Sequence, residues 1–256
     1  MANSLEKHYR DEFSMQNTIS GASNLLADTA RRLNWDLAAF NINRESNMPR
    51  LNDGTFVSTA MGWPVEIVAG WTERRMASYC PVMQRCGRVT DSFVWQCSAD
   101  DPHWSKAKLT AEQFAVLDHL GRYVGGATTV PVHRPGGKIG YVSWFLRDAS
   151  QLDDRHGETY YATYLLSHIF IRRIDEITAS NKLMFLRNEN ISLTAREIEC
   201  LTWAANGKTE EEIGMIIERS HETARFHLRN AVQKLNASNR THAVALACSR
   251  GLITVL

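Results

Sequence analysis

Residues 192–256 end the chain in a run of short, separately capped helices, and their closely spaced start and stop signals leave room only for a small helical bundle. Thr194 followed three positions later by Glu197 is a capping box, in which each side chain satisfies an otherwise unpaired backbone N–H. Ile198, Leu201, Trp203, Ala204 and Ala205 supply an apolar side. Asn206-Gly207 then stops the helix, because both residues tolerate the left-handed conformation. Thr209 with Glu212 repeats the box, and Glu210, Glu211 and Glu212 put negative charge where the helix dipole favours it. Ile213, Ile216 and Ile217 are its expected core side. Ser220 caps a third helix, in which Ala224, Leu228, Ala231 and Leu235 share one face. A fourth helix is predicted over 241–250, with Ala243, Leu246 and Ala247 inward and Gly251 ending it.

The solvent side of the third helix carries His221, Glu222, Arg225, Phe226 and Arg229. Arg225 and Arg229 are four apart and therefore neighbours. An arginine pairs with guanine edges or grips phosphate, while Ser220, Thr223 and the first N–H groups of a helix can meet the phosphate backbone. Thr209, at the start of the preceding helix, joins this set of candidate DNA contacts. Two short helices joined by a tight turn, the second being the reader, make a helix-turn-helix. A four-helix accessory domain whose arginines only solvate it is the competing reading of the same pattern.

At 256 residues the chain has room for two domains. Its formal charge of +1 excludes a generally basic, charge-driven binder, and the tail itself balances eight Lys/Arg against seven Asp/Glu. Specificity must then come from local placement and from doubling the reader in a homodimer on double-stranded promoter DNA. No apolar run is long enough to span a bilayer and the first residues lack a signal peptide's apolar core, so a cytoplasmic protein with no membrane partner is expected. Cys80, Cys86, Cys97, Cys200 and Cys248 form no C-x-x-C pair, which points to free thiols and no metal site. No phosphate-binding glycine loop, G-x-S-x-G elbow or close histidine cluster occurs, so neither a catalytic residue nor a cofactor is expected, and the chain is read as not an enzyme.

The front segment reads as α/β. A first helix ends near Leu33, strands are predicted over 36–42 and 55–59, and helices over 66–79 and 110–123. Strands over 127–132 and 138–146 flank Arg134-Pro135-Gly136-Gly137, where Pro fixes φ and Gly permits positive φ. A long helix over 153–177 has apolar surface for both a sheet and a partner subunit. The expectation is an N-terminal α-β-α sandwich around a central antiparallel sheet (1–177), a linker (178–190) and a C-terminal four-helix helix-turn-helix domain (191–256). Trp63, Trp71, Tyr79, Phe93, Trp95, Trp104, Tyr141 and Trp144 crowd the middle, either as ordinary core or as the lining of an apolar cavity.

The tail resembles the LuxR-type DNA-binding domain through Leu193-Thr194, Arg196-Glu197, Gly207-Lys208-Thr209, Glu212-Ile213, Ser220, Thr223, Arg225, His227, Lys234-Leu235 and Gly251-Leu252-Ile253. That resemblance implies DNA reading by the helix from His221. Ala224 and Ala231 stand where valine and isoleucine are usual, a loss of volume that Phe226 or Val232 would compensate. The front segment is similar, more weakly, to the autoinducer-binding domain of quorum-sensing regulators, which bind N-acyl-homoserine lactones. Its anchors are Trp63-Pro64, Tyr79-Cys80-Pro81-Val82, Phe93-x-Trp95, Gly125-Gly126 leading to Pro131, and Gly140-x-x-Ser143. The resemblance implies that Trp95 donates its indole N–H to a lactone carbonyl and that Trp71 takes the place of a pocket tyrosine. It also puts Ser143 at the acyl amide or carbonyl, Ile67 where a tryptophan covers the lactone ring, and Tyr141 and Pro81 among the lining.

Cys80 departs from that pattern. In the family an aspartate before this Pro-Val accepts the ligand's amide N–H, whereas a neutral thiol is a weak acceptor, a loss of about one to two decades in affinity for an amide ligand. Glu66 or Asp91 would substitute only if the local register bends. The expected function is a quorum-sensing type of transcriptional regulator controlled by an acyl-homoserine lactone or by a non-standard small signal. The alternative is a ligand-independent regulator or anti-activator that dimerises constitutively or pairs with another regulator of the family, and RNA polymerase is a further possible partner. A phosphoacceptor domain, which precedes such a tail elsewhere, is disfavoured because the front lacks a βαβ series with the needed carboxylates.

Overall fold

The computed structural model describes residues 2–42, 50–51, 54–73, 76–98, 100–105, 109–185 and 193–253. The chain divides into two compact units, one of Met1–His133 with Ile139–Asn181, the other of Lys182–Leu256 with Arg134–Lys138.

In the first unit, helices α1 (Ala2–Ser14) and α2 (Ile19–Arg32) precede strand β1 (Leu37–Asn41). Helices α3 (Val57–Ala60), α4 (Val65–Glu73), α5 (Met76–Tyr79) and α6 (Pro81–Cys86) lead to β2 (Phe93–Gln96), and α7 (Pro102–Ser105) and α8 (Ala111–Gly121) to β3 (Gly126–Arg134). A short turn, Pro135–Gly137, joins β3 to β4 (Lys138–Leu146), and α9 (Leu152–Phe185) follows. The sheet order is β1-β4-β3-β2, with β1 antiparallel to β4 and β2 antiparallel to β3; a three-residue connection makes β3 and β4 a hairpin as well.

Alternation along the strands sends Tyr141, Ser143 and Phe145 to one face of the sheet and Val142 and Trp144 to the other. On the second face lie α9 and the first helices: Trp144 donates to Ser167 Oγ (3.1 Å), Trp35 to Thr159 Oγ1 (3.2 Å), and Phe170 meets both Phe13 and Phe40 edge-on. On the first face α3, α4, α6 and α8 close over the sheet, Trp63 donating to Ala38 O (2.7 Å) and His119 Nε2 lying 3.1 Å from Ile67 O. Helices on both faces of an antiparallel sheet give the expected sandwich.

Three local expectations change. Segment 55–59 is not a strand: α3 spans Val57–Ala60, and Val57 and Met61, four apart, are both buried. Five residues, of which only Phe56 and Val57 are apolar, carry too little periodicity to separate the two states, and burial decides it here. The predicted helix 66–79 is two helices, α4 and α5. Helix α9 continues to Phe185, past Ile177, because no Gly or Pro between Thr178 and Phe185 interrupts it. The first part of the expected linker is therefore helical, and 186–190 lies outside the described residues.

The second unit holds α10 (Ala195–Ala205), α11 (Glu210–Ile216), α12 (His221–Lys234) and α13 (Arg240–Ser249). Both capping boxes form, at Thr194/Glu197 and Thr209/Glu212, and Ser220 and Asn239 cap the last two helices. Cys200, Leu201, Ile213, Ala224, Leu228, Ala231, Leu235, Ala243 and Ala247 make the core. Ile216, expected inside, is 39% exposed at the end of α11, while Ile217 turns in. The small Ala224 and Ala231 bring helices close together; Val232 packs against this core, whereas Phe226 points away at 50% exposure and compensates nothing. Glu197, 2% exposed, ties α10 to α12 by accepting from Lys234 Nζ (2.8 Å).

Candidate signal cavity and DNA-reading helix

Between the sheet and the helices over its first face lies a cavity of about 60 Å³. Trp63, Ile67, Trp71, Cys80, Trp95, Tyr141 and Ser143 line it, seven residues far apart in sequence. Pro81 does not; it is buried as the first residue of α6, where its fixed φ starts the helix. Ala39, Phe40, Asn41, Ser58, Val68, Val82, Leu120 and Phe145 complete the wall without having been expected there. Register supplies part of the missing signal: Ala39 pairs with Ser143 and Asn41 with Tyr141, so they share a face.

The polar groups of the floor are committed to one another. Trp95 donates its indole N–H to Thr129 Oγ1 (2.8 Å), which lies 2.7 Å from Ser143 Oγ. The indole N–H that the resemblance assigns to a lactone carbonyl thus has an acceptor within the floor itself, as a buried N–H requires. Thr129 went unnoticed because a threonine inside a strand has the residue type that any strand favours. The Trp63 N–H is likewise engaged with the backbone, and its ring meets Phe145 edge-on.

Cys80 is 3% exposed and caps α6 from an extended backbone. Burial pushes its thiol up to about 11, against the pull of the Met83 and Val82 backbone N–H groups, so it is neutral near pH 7. Burial, with the Cys80 and Cys86 thiols nearby, raises Tyr141 well above the usual phenol range despite a hydrogen bond with Asn41. Glu66 and Asp91 are exposed and do not line the cavity, and no carboxylate does among the described residues. The wall is mostly apolar and carries a few neutral hydrogen-bonding groups.

In the second unit, Ser220 Oγ accepts from Thr223 N (3.2 Å) and fixes the start of α12. Glu222, Arg225, Phe226 and Arg229 are exposed along one stripe opposite the buried Ala224, Leu228 and Ala231. Arg225 and Arg229 make no hydrogen bond or ion pair with any described residue, unlike Arg196, Lys208 and Lys234, which pair with glutamates. His221 is partly engaged, 3.4 Å from Glu210 and 3.5 Å from Glu222. Thr209 is exposed but spends its side chain on the cap of α11 (3.2 Å to Glu212 N). Glycine at 214 keeps α11 and α12 close: a Cβ there would lie 3.0 Å from Arg219 O and His221 N.

Comparison with known proteins decides what these two sites belong to. The profile described as Autoinducer binding domain matches residues 18–174, and that of Bacterial regulatory proteins, luxR family, matches 191–247. The chain belongs to the LuxR family. It is a quorum-sensing transcriptional regulator with an autoinducer-binding domain and a DNA-binding helix-turn-helix domain, in a family of regulators rather than enzymes. LuxR-family relatives include the activator BjaR1 of Bradyrhizobium diazoefficiens, 31% identical over 76% of this chain and 75% of that protein. The activator VanR of Vibrio anguillarum is 33% identical over 59% of this chain and 62% of its own length. VjbR of Brucella abortus is 56% identical over 24% of each chain. Escherichia coli SdiA has the same fold, with a TM-score of 0.69 at 19% identity over 99% of this chain and 100% of SdiA.

Proposed function

We propose that this LuxR-family regulator binds promoter DNA as a homodimer, each subunit laying α12 in the major groove, and that an acyl-tailed small molecule in the cavity controls that binding. The observation that carries the DNA reading is the pair of exposed, uncommitted guanidiniums at Arg225 and Arg229, one turn apart on a helix whose other face is buried. Arginine reads guanine edges, Phe226 offers its ring to a thymine methyl, and Ser220, His221, Glu222 and Thr223 sit at the helix start near phosphate. A nearly neutral tail grips DNA weakly alone, so doubling the reader is the route to affinity. Helix α9 supports pairing of the first units through a ladder of rings, Tyr160 stacked on Tyr164 and Tyr161 85% exposed. RNA polymerase and other regulators of the family are further partners this reading allows. The division into a sensory segment (1–177), a connector (178–190) and a reader (191–256) is part of the same proposal, with the helical turns up to Phe185 belonging to the connector. On this reading the protein works in the cytoplasm, where promoter DNA lies; none of the described helices is long and apolar enough to cross a membrane.

The signal is read as an N-acyl-homoserine lactone or another acyl-tailed molecule, held by Trp63, Ile67, Trp71, Cys80, Tyr141 and Ser143. The apolar lining with a few neutral polar groups supports this, and SdiA has been seen in complex with octanoyl-rac-glycerol. A second reading, regulation without a ligand, is favoured by the small volume: about 60 Å³, against the several hundred that small-molecule sites usually enclose. Gel-shift titration on an operator selected from random duplexes, with and without an acyl-homoserine-lactone series, separates the two. Signal control requires a shift in DNA affinity or in melting temperature with at least one acyl-tailed compound. Unchanged, dimeric, tight binding under all conditions leaves the ligand-independent reading. Arg225→Ala should weaken operator binding by about 1–3 kcal/mol if it reads a base, whereas equal weakening on random DNA assigns it to phosphate.

A further inference from the structure

One residue of the reading face has the wrong charge for a phosphate contact. Counted at about 100° per residue around α12, Glu222 lies within about 60° of Arg225, Phe226 and Arg229 and opposite the buried Ala231. It therefore stands in the middle of the exposed stripe, not at its margin. Its side chain is 75% exposed, and His221 Nδ1 at 3.5 Å is its one ion-pair partner among the described residues. The same imidazole lies 3.4 Å from Glu210, so one ring serves two carboxylates.

With α12 in the major groove, this carboxylate is carried between two phosphate backbones, which repel negative charge. The repulsion is offset only where a base edge supplies a donor to a side chain that can only accept. In that groove guanine shows two acceptors, and thymine shows one acceptor beside its methyl group. Adenine shows a donor, but next to the N7 acceptor. Cytosine shows a donor, its N4 amino group, with no acceptor of its own. Resting on the reading of α12 as the major-groove helix, we propose that Glu222 accepts from the N4 amino group of one cytosine in each half-site and rejects the other bases there. The same charge weakens binding to DNA that lacks this cytosine, so discrimination comes from repulsion as well as from the bond.

The test is selection of operators from random duplexes by the purified full-length chain, with and without the acyl-homoserine-lactone series. Wild type, Glu222→Ala, Glu222→Gln, Arg225→Ala and Arg229→Ala are compared, with melting temperatures to check that each folds. The wild type should require one C·G pair per half-site, by about tenfold or more over other pairs in gel shifts. Glu222→Ala should lose that requirement and bind random duplex more tightly. Glu222→Gln, whose carboxamide also donates, should admit adenine at the same pair. Both arginine variants should keep the cytosine and lose preference elsewhere. If Glu222→Ala selects the wild-type sequence, or Glu222→Gln still rejects adenine, while an arginine variant changes the sequence, this inference is overturned and the reading of α12 stands. If neither arginine variant changes the selected sequence, or none is selected, both fall.

Discussion

Replacing Thr129 by Val takes one hydroxyl out of the cavity floor and leaves its shape. That oxygen is 2.8 Å from Trp95 Nε1 and 2.7 Å from Ser143 Oγ, and Thr129, Trp95 and Ser143 are 0%, 1% and 2% exposed. Water therefore has no ready access to take over the bond. Stranding a buried indole N–H costs about 1–3 kcal/mol. The Ser143 hydroxyl can rotate to a carbonyl and adds less, so the variant should lose roughly 2–3 kcal/mol. Thr129→Ser keeps the oxygen and gives up one methyl, about 1 kcal/mol. Urea unfolding read by tryptophan fluorescence is suited to this, since of the seven tryptophans only Trp203 lies in the second unit. The midpoint should fall with the slope unchanged. Ser143→Ala alone should be mild, because Thr129 still accepts from Trp95, and in that background Thr129→Val should cost measurably less than in the wild type. A Thr129→Val chain as stable as the wild type, or strict additivity with Ser143→Ala, would refute the bonded floor.

Three further expectations concern other parts of the molecule. Burial raises Glu197, but hydrogen bonds from Lys234 and Thr194 outweigh it and hold the carboxyl below its usual range. The stability it contributes is thus present above the ordinary glutamate pKa and lost as pH falls through the lowered folded value. Glu197→Gln keeps the cap, should cost the tail roughly 1.5–3 kcal/mol at pH 7, and should flatten its melting temperature over that acid range; a parallel pH profile for both proteins would contradict this. Gly70→Ala places a Cβ 2.7 Å from His119 Cε1 and should destabilise the first unit by about 1–3 kcal/mol, a loss that His119→Ala in the same chain relieves in thermal melts. If Phe226 covers a thymine methyl, an operator made with uracil should bind about fourfold more weakly, from about 0.8 kcal/mol per methyl, and Phe226→Ala should bind both DNAs alike.

The second unit was legible because its information is local. Thr194, Thr209 and Ser220 each cap a helix within three residues, and the Ala224, Leu228, Ala231 and Leu235 stripe needs no partner to be seen. Ile216 was misplaced because exposure at a helix end depends on the neighbouring helix, which no spacing records, whereas Phe226 lies on the solvent side as expected and only its role as core filler fails. In the first unit, the β3–β4 hairpin followed from its turn, whereas α3 was read as a strand because Val57, Ser58 and Thr59 suit either state. The cavity was visible only as aromatic residues and family anchors. Asn41 and Thr129 escaped since strand register, which brings them beside Tyr141 and Ser143, is set across long stretches of chain. Cys80 stood out as a departure, yet its neutrality depends on burial that sequence alone does not reveal.

That neutrality extends to the cavity wall as a whole. Among the described lining residues the titratable side chains are Cys80, held at about 11, and Tyr141, held above the phenol range. Neither gains or loses a proton between about pH 5 and pH 9. The wall thus keeps one charge state throughout. On the proposed reading of this cavity, an uncharged signal would meet the same chemistry across that range, and its occupancy would follow how much of it is present.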